Sequence, residues 1–152
     1  DPDDRLRALA GIYPGIRLHG FVDDLQSVYC RARVSVAPLL FGSGMKVKVL
    51  DAMARGMPTV TTPVGAEGID AVNGRHLAVA DSAAAMAEAV LELLKNRAQW
   101  SAMSAASREL VRERYTWRAL FDHMHSAIAA TLRDAEREPL PQGEGNPVLQ
   151  HG

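Results

Sequence analysis

One cysteine, Cys30, is all the thiol chemistry this sequence carries. A lone cysteine makes no internal disulfide and has no second thiolate for zinc. That excludes a disulfide scaffold and a cysteine-built metal site, and it fits a reducing compartment. Val28, Tyr29 and Ala32 surround it in the sequence, so it reads as a packing thiol rather than a reactive one. Aromatic residues are scarce at 5% although hydrophobic residues make up 47%, which points to a core of aliphatic side chains and alanine between closely packed helices. Neither sign of charge dominates. With 17 Lys and Arg against 18 Asp and Glu, the net charge of −1 gives no whole-chain footprint for nucleic acid. No apolar run approaches the roughly 18 residues of a membrane span, and no signal peptide opens the chain. Histidines do not cluster. His123 and His125 lie two apart in a helical pattern, so they do not share a face as a metal pair would.

What is present reads as one domain with a tail: residues 1–136 fold, and the Pro- and Gly-rich residues 137–152 are expected to be disordered. Asp1-Pro2-Asp3-Asp4 runs straight into a helical pattern ending at Gly11, with Asp1 as its cap. Because the pattern begins so abruptly, we expect this chain to be the later part of a longer protein. Asp1 and Asp3 also have the D-x-D spacing of a metal-nucleotide clamp, but such a clamp follows a buried strand and the cap is the better reading. Ile16 to His19 is predicted as a strand and 24–32 as a helix capped by Asp23-Asp24. Val34 to Ala37 is a strand, 45–55 a helix, Thr59 to Thr62 a strand and 75–79 a fourth strand. Helices follow at 82–94, 97–114 and 117–136, capped by Asp81-Ser82, Asn96 and Thr116. Strands alternating with helices argue an α/β fold, a Rossmann-like parallel sheet with additional C-terminal helices.

The stretch Phe41 to Ile69 concentrates the chemistry. Gly42-Ser43-Gly44 leads into a helix, and glycines there let the backbone approach a ligand while the helix offers free N–H groups and its positive dipole end. Lys46 opposes that dipole in the first turn and makes sense beside an anion. Asp51 lies eight residues after Ser43, about 12 Å along a continuous helix at about 1.5 Å per residue. A nucleoside diphosphate spans that distance, with ribose at the carboxylate. The plainer reading is that the glycines only turn the chain and Asp51 pairs with Lys48 at i−3 or Arg55 at i+4. The loop Pro63 to Asp70, with Gly65, Glu67 and Gly68, lies on the same sheet edge.

Leu18-His19-Gly20-Phe21-Val22, Val36-Ala37-Pro38-Leu39, Gly42-Ser43-Gly44-Met45-Lys46, Leu50-Asp51-Ala52-Met53-Ala54-Arg55-Gly56-Met57-Pro58-Thr59-Val60, Thr62-Pro63-Val64-Gly65-Ala66-Glu67-Gly68 and Tyr115-Thr116-Trp117 occur in the order seen in one family. Residues 16–118 resemble the C-terminal domain of a GT-B glycosyltransferase, and most of all the retaining family 4 (group 1) enzymes. The resemblance implies the donor-binding half of an enzyme of hexosyltransferase type in glycan biosynthesis. Such an enzyme moves a sugar from a nucleoside-diphosphate sugar to an acceptor with retention. It implies ribose on Asp51, shortened from the family's glutamate. Ser43 falls where the family carries an acidic residue against the transferred sugar, so the sugar end departs from the pattern. The amides of Ser43, Gly44 and Met45, with Gly42 and Lys46, would face the diphosphate, and Phe21 and Val22 would lie near the base. No cofactor and no metal are implied.

The resemblance further implies a preceding Rossmann-like domain, which brings the acceptor and any attachment to a membrane surface, and a cytoplasmic location. A rival reading is a non-catalytic nucleotide-binding module, with the isolated chain inactive. A third is a GT-B sugar epimerase, which would carry His and carboxylate acid–base groups that the sequence does not single out.

Overall fold

The computed structural model describes residues 3–137. They fall into two compact units, divided between Val111 and Arg112. In the first, α1 (Asp4–Ile12), α2 (Leu25–Tyr29), β1 (Ser35–Ala37), α3 (Val47–Ala54), β2 (Thr59–Thr61), α4 (Pro63–Ala66), β3 (Ala78–Val79) and α5 (Ala83–Lys95) follow in order. The helix α6 (Arg97–Arg114) runs across the division, and α7 (Trp117–Arg137) belongs to the second unit.

The three strands form one parallel sheet in the order β1-β2-β3, with Ser35 opposite Thr59 and Val60 opposite Ala78. All three residues of β2 are buried, as expected of a central strand covered on both faces. Val60, Ala80, Leu93 and Met103 form a core to which α5 and α6 contribute, with Met86, Ala89 and Val90 packed on it. Val49, Ala52 and Met53 of α3 are buried as well. Alanines at 85 and 89 let α5 approach the sheet closely, which the scarcity of aromatics anticipates.

The caps explain the helix starts. Asp3 accepts from the Leu6 amide at 2.8 Å, so Asp3 rather than Asp1 caps α1, and Gly11 lies inside that helix. Asp24 caps α2, Thr62 caps α4, and Ser82, rather than Asp81, caps α5. Asn96 accepts from the Gln99 amide and Thr116 from the Ala119 amide, as predicted.

Several expectations need correction. Ile16 to His19 forms no strand, so the described residues hold three strands rather than four. Predicted helix 24–32 shortens to five residues, and the predicted strand 75–79 shortens to Ala78–Val79. The turn-rich loop after β2 contains a short helix, because Pro63 suits a first helical turn that Thr62 caps. Cys30 is exposed, with the Gln26 amide nitrogen 3.4 Å from its sulfur, and is not a packing thiol. The expected tail lies outside the described residues from 138 onward.

Candidate functional site

Two loops meet beyond the carboxyl ends of β1 and β2. The first carries Gly42 at φ 131° and Gly44 at φ 71°, conformations in which a side chain would be strained. These turns keep the chain out of the helix until Val47, so predicted helix 45–55 begins two residues late and Met45 lies in the loop. Lys46 occupies the N-cap, with its carbonyl accepting from the Val49 and Leu50 amides at 2.9 and 3.2 Å. The expected 12 Å of continuous helix from Ser43 to Asp51 therefore does not form. Only Val47 to Asp51 is helical, four steps or about 6 Å.

Lys46, expected in the first turn of the helix, is its N-cap, and its side chain is buried. Its side chain is 8% exposed and folds back under the loop. Nζ donates to the Gly42 carbonyl at 3.0 Å and the Gly44 carbonyl at 2.5 Å. Glu67, from the second loop, lies 3.7 Å away and is largely exposed. The ammonium thus shapes the glycine loop while placing positive charge beneath it. No side chain caps the N-terminus of α3, which leaves that end to other acceptors. Ser43 is exposed between the two left-handed glycines.

The loops also touch through their backbones. A Cβ on Gly68 would stand 3.5 Å from the Met45 Cα, and the Thr62 hydroxyl donates to the Leu39 carbonyl at 2.5 Å. Gly65 is needed for another reason: a Cβ there would collide with the Thr61 side chain, whose hydroxyl bridges to the Ala37 carbonyl at 2.8 Å. Gly42, Ser43, Gly44, Met45, Lys46 and Glu67 are therefore one cluster.

Asp51 has different company. Arg55 Nε donates to both of its carboxylate oxygens, at 3.2 and 3.1 Å. The guanidinium stacks over the Tyr29 ring, 5.0 Å from its centroid, and Nη1 donates to Gln26 Oε1. Partial burial lifts the Tyr29 phenol above its ordinary 10.0, the Asp51 charge and hydrogen bond lift it further, and Arg55 pulls it back. The i+4 pair offered by the plain reading is thus formed, and the carboxylate remains 37% exposed for a further contact. Tyr29 and Gln26 carried no functional signal in the sequence, since only the packing of α2 on α3 brings them to Asp51. Phe21 and Val22 precede α2 on that side. Phe21 is 93% exposed and Val22 half-buried. Among the described residues, no group of three His, Cys, Asp or Glu could hold a metal ion, and no helix is long and apolar enough to cross a membrane.

A parallel sheet with helix N-termini and loops gathered at one edge defines the class. The fold is that of a GT-B glycosyltransferase C-terminal domain. It matches the sucrose-phosphate synthase of Thermosynechococcus elongatus with a TM-score of 0.69 at 23% identity, over 86% of this chain and 34% of that one. It also matches the C-terminal domain of the group 1 glycosyl transferase LpcC from Francisella tularensis, with a TM-score of 0.60 at 18% identity over 75% of this chain and 60% of that one. The profile of the family Glycosyl transferases group 1 matches residues 1–96, more than half of the sequence, and the chain belongs to that family. An uncharacterized 44.6 kDa protein in the cps region of Klebsiella pneumoniae is 30% identical over 97 residues. That match takes in 61% of this chain and spans only 25% of the relative's length.

Proposed function

We propose that this chain is the donor-binding part of a glycosyltransferase that moves a sugar from a nucleoside-diphosphate sugar to an acceptor with retention. The observation that carries the reading is the glycine loop held over a buried ammonium at the uncapped N-terminus of α3. Loop amides and a helix dipole supply fixed positive potential where a departing diphosphate gathers charge. Lys46 adds a full charge from beneath and holds the two glycine carbonyls turned away from the anion. Asp51, already oriented by Arg55 and Tyr29, keeps lone pairs for a ribose hydroxyl. Phe21 and Val22 border the base. Ser43 offers a neutral hydrogen-bond partner to the sugar. The departing charge is met by these groups without a metal, so a chelator leaves nucleotide binding unchanged.

Titrating the protein with UDP, GDP and ADP tests this. One of the three is expected to bind, more tightly than its monophosphate. Lys46→Ala and Asp51→Ala are each expected to weaken it by about tenfold, the equivalent of one charged hydrogen bond. Binding of none of them sinks the donor-site reading. A second reading is a nucleotide-binding module, with binding but no turnover. Measuring nucleoside-diphosphate release from the corresponding sugar nucleotide separates a binding module from a working transferase.

A further inference from the structure

Arg33, two residues before β1, lies at the edge of the sheet opposite the glycine loop. Five residue steps separate it from Pro38, about 16 Å at about 3.3 Å each. Two cavities flank the segment Arg31-Ala32-Arg33 there. The larger, of about 410 Å³, is lined by Arg33, Arg97, Trp100 and Ser101. The smaller, of about 300 Å³, is lined by Arg17, His19 and Arg31 together with Val28 and Ala32. Every titratable side chain on both walls is basic, in a chain whose acidic residues outnumber its Lys and Arg.

None of these five basic residues forms an ion pair among the described residues. Arg31 gives only its Nε, to the Ser27 carbonyl at 3.2 Å. Like charges gathered on a concave wall raise the local potential and concentrate anions. A guanidinium presents a planar fork of donors that matches phosphate oxygens. The indole of Trp100 is pinned as a wall, because its Nε1 donates to the Arg33 carbonyl at 2.6 Å. Such a face suits the ring or apolar part that adjoins a phosphate.

We propose that the Arg33–Arg97–Trp100 cavity is a second binding site, for the phosphate group of a phosphorylated ligand, independent of the glycine loop. Arg17 and Arg31 of the neighbouring cavity extend its positive field.

The chain has two tryptophans, so Trp117→Phe leaves Trp100 as the reporter. In that background, titration with inorganic pyrophosphate at constant ionic strength is expected to change Trp100 emission saturably. Arg33→Gln with Arg97→Gln weakens the response by about tenfold or more, and Lys46→Ala leaves it unchanged. Arg33→Lys with Arg97→Lys keeps the charge, loses the fork, and is expected to fall between; it also serves if the glutamine pair does not fold by circular dichroism. A parallel flotation assay compares vesicles of phosphatidylcholine alone with vesicles containing phosphatidic acid. A pyrophosphate response without vesicle capture supports a soluble phosphate ester. Capture by phosphatidic acid that the arginine variants lose supports a lipid headgroup. Neither response, a response that survives the arginine changes, or one abolished by Lys46→Ala overturns the site.

Discussion

Both oxygens of the Asp51 carboxylate accept from Arg55 Nε, and the Tyr29 phenol lies against the same group. This arrangement has a measurable signature. A phenol whose folded pKa lies above its unfolded value of 10.0 holds its proton longer in the native state. Its contribution to stability is complete below about pH 10 and is lost as pH rises through the raised folded value. Absorbance titration should therefore show a late tyrosinate step, and Tyr29→Phe should remove it together with part of the alkaline loss of stability. A Tyr29 step at the ordinary position would show that burial and the Asp51 carboxylate do not together hold the phenol protonated. Lys46 makes the complementary point. Its type and position were readable in the sequence, but its direction was not. A side chain with four rotatable bonds turns toward whichever acceptors the surrounding loop presents, here two glycine carbonyls and Glu67.

Helix α3 is held at both ends by its surroundings rather than by its own residues. At its N-terminus the glycine loop is held over the Lys46 side chain, whose Nζ donates to the Gly42 and Gly44 carbonyls. At its C-terminus Gly56 takes φ 68°, where the Arg108 guanidinium fills the space a side chain would need. Ser104 of α6 donates to the Gly56 carbonyl at 2.6 Å, and Arg108 donates to the Arg55 carbonyl at 3.1 Å. Ser104→Ala leaves the buried Gly56 carbonyl without that donor and is expected to cost about 1–2 kcal/mol in urea unfolding. A midpoint equal to that of the parent would show that α6 does not anchor the helix carrying the site. The helices were legible because their caps and periodicity are local: Ser82, Asn96 and Thr116 each bond an amide three residues on. Ile16 to His19 was not legible. A strand is completed by a neighbour, and no described strand pairs with it. Short α4 was hidden because Thr62-Pro63 opens a turn and a helix equally well.

At the scale of the whole molecule, the ligand edge carries several exposed apolar side chains. Phe21, Leu40, Phe41 and Val47 are 93%, 81%, 87% and 73% exposed. Exposed apolar patches of this kind drive association. The chain is expected to self-associate as concentration rises, and Leu40→Ser with Phe41→Ser is expected to shift it toward monomer in sedimentation velocity with little change in Tm, because neither side chain supports the core. Concentration-independent monomer in the parent would count against this edge as a contact surface. The second unit shows the same feature by itself, with Leu120, Phe121, Met124, Ile128 and Leu132 of α7 all exposed.

The family, the parallel α/β class and the location of the glycine loop were determined by the sequence, because each rests on residues near one another in the chain. Spacing of apolar residues sets helices, glycine permits the left-handed turns at 42 and 44, and a run of matched motifs needs no contacts to be seen. What the tertiary structure decided are meetings between distant segments. It turned Lys46 under the loop toward Glu67, brought Tyr29 and Gln26 to Asp51 and Arg55, and set Arg33 beside Arg97 and Trp100. Those meetings depend on how α2, α3 and α6 pack on the sheet. That packing is fixed by burial of the core as a whole, which no single stretch of sequence contains.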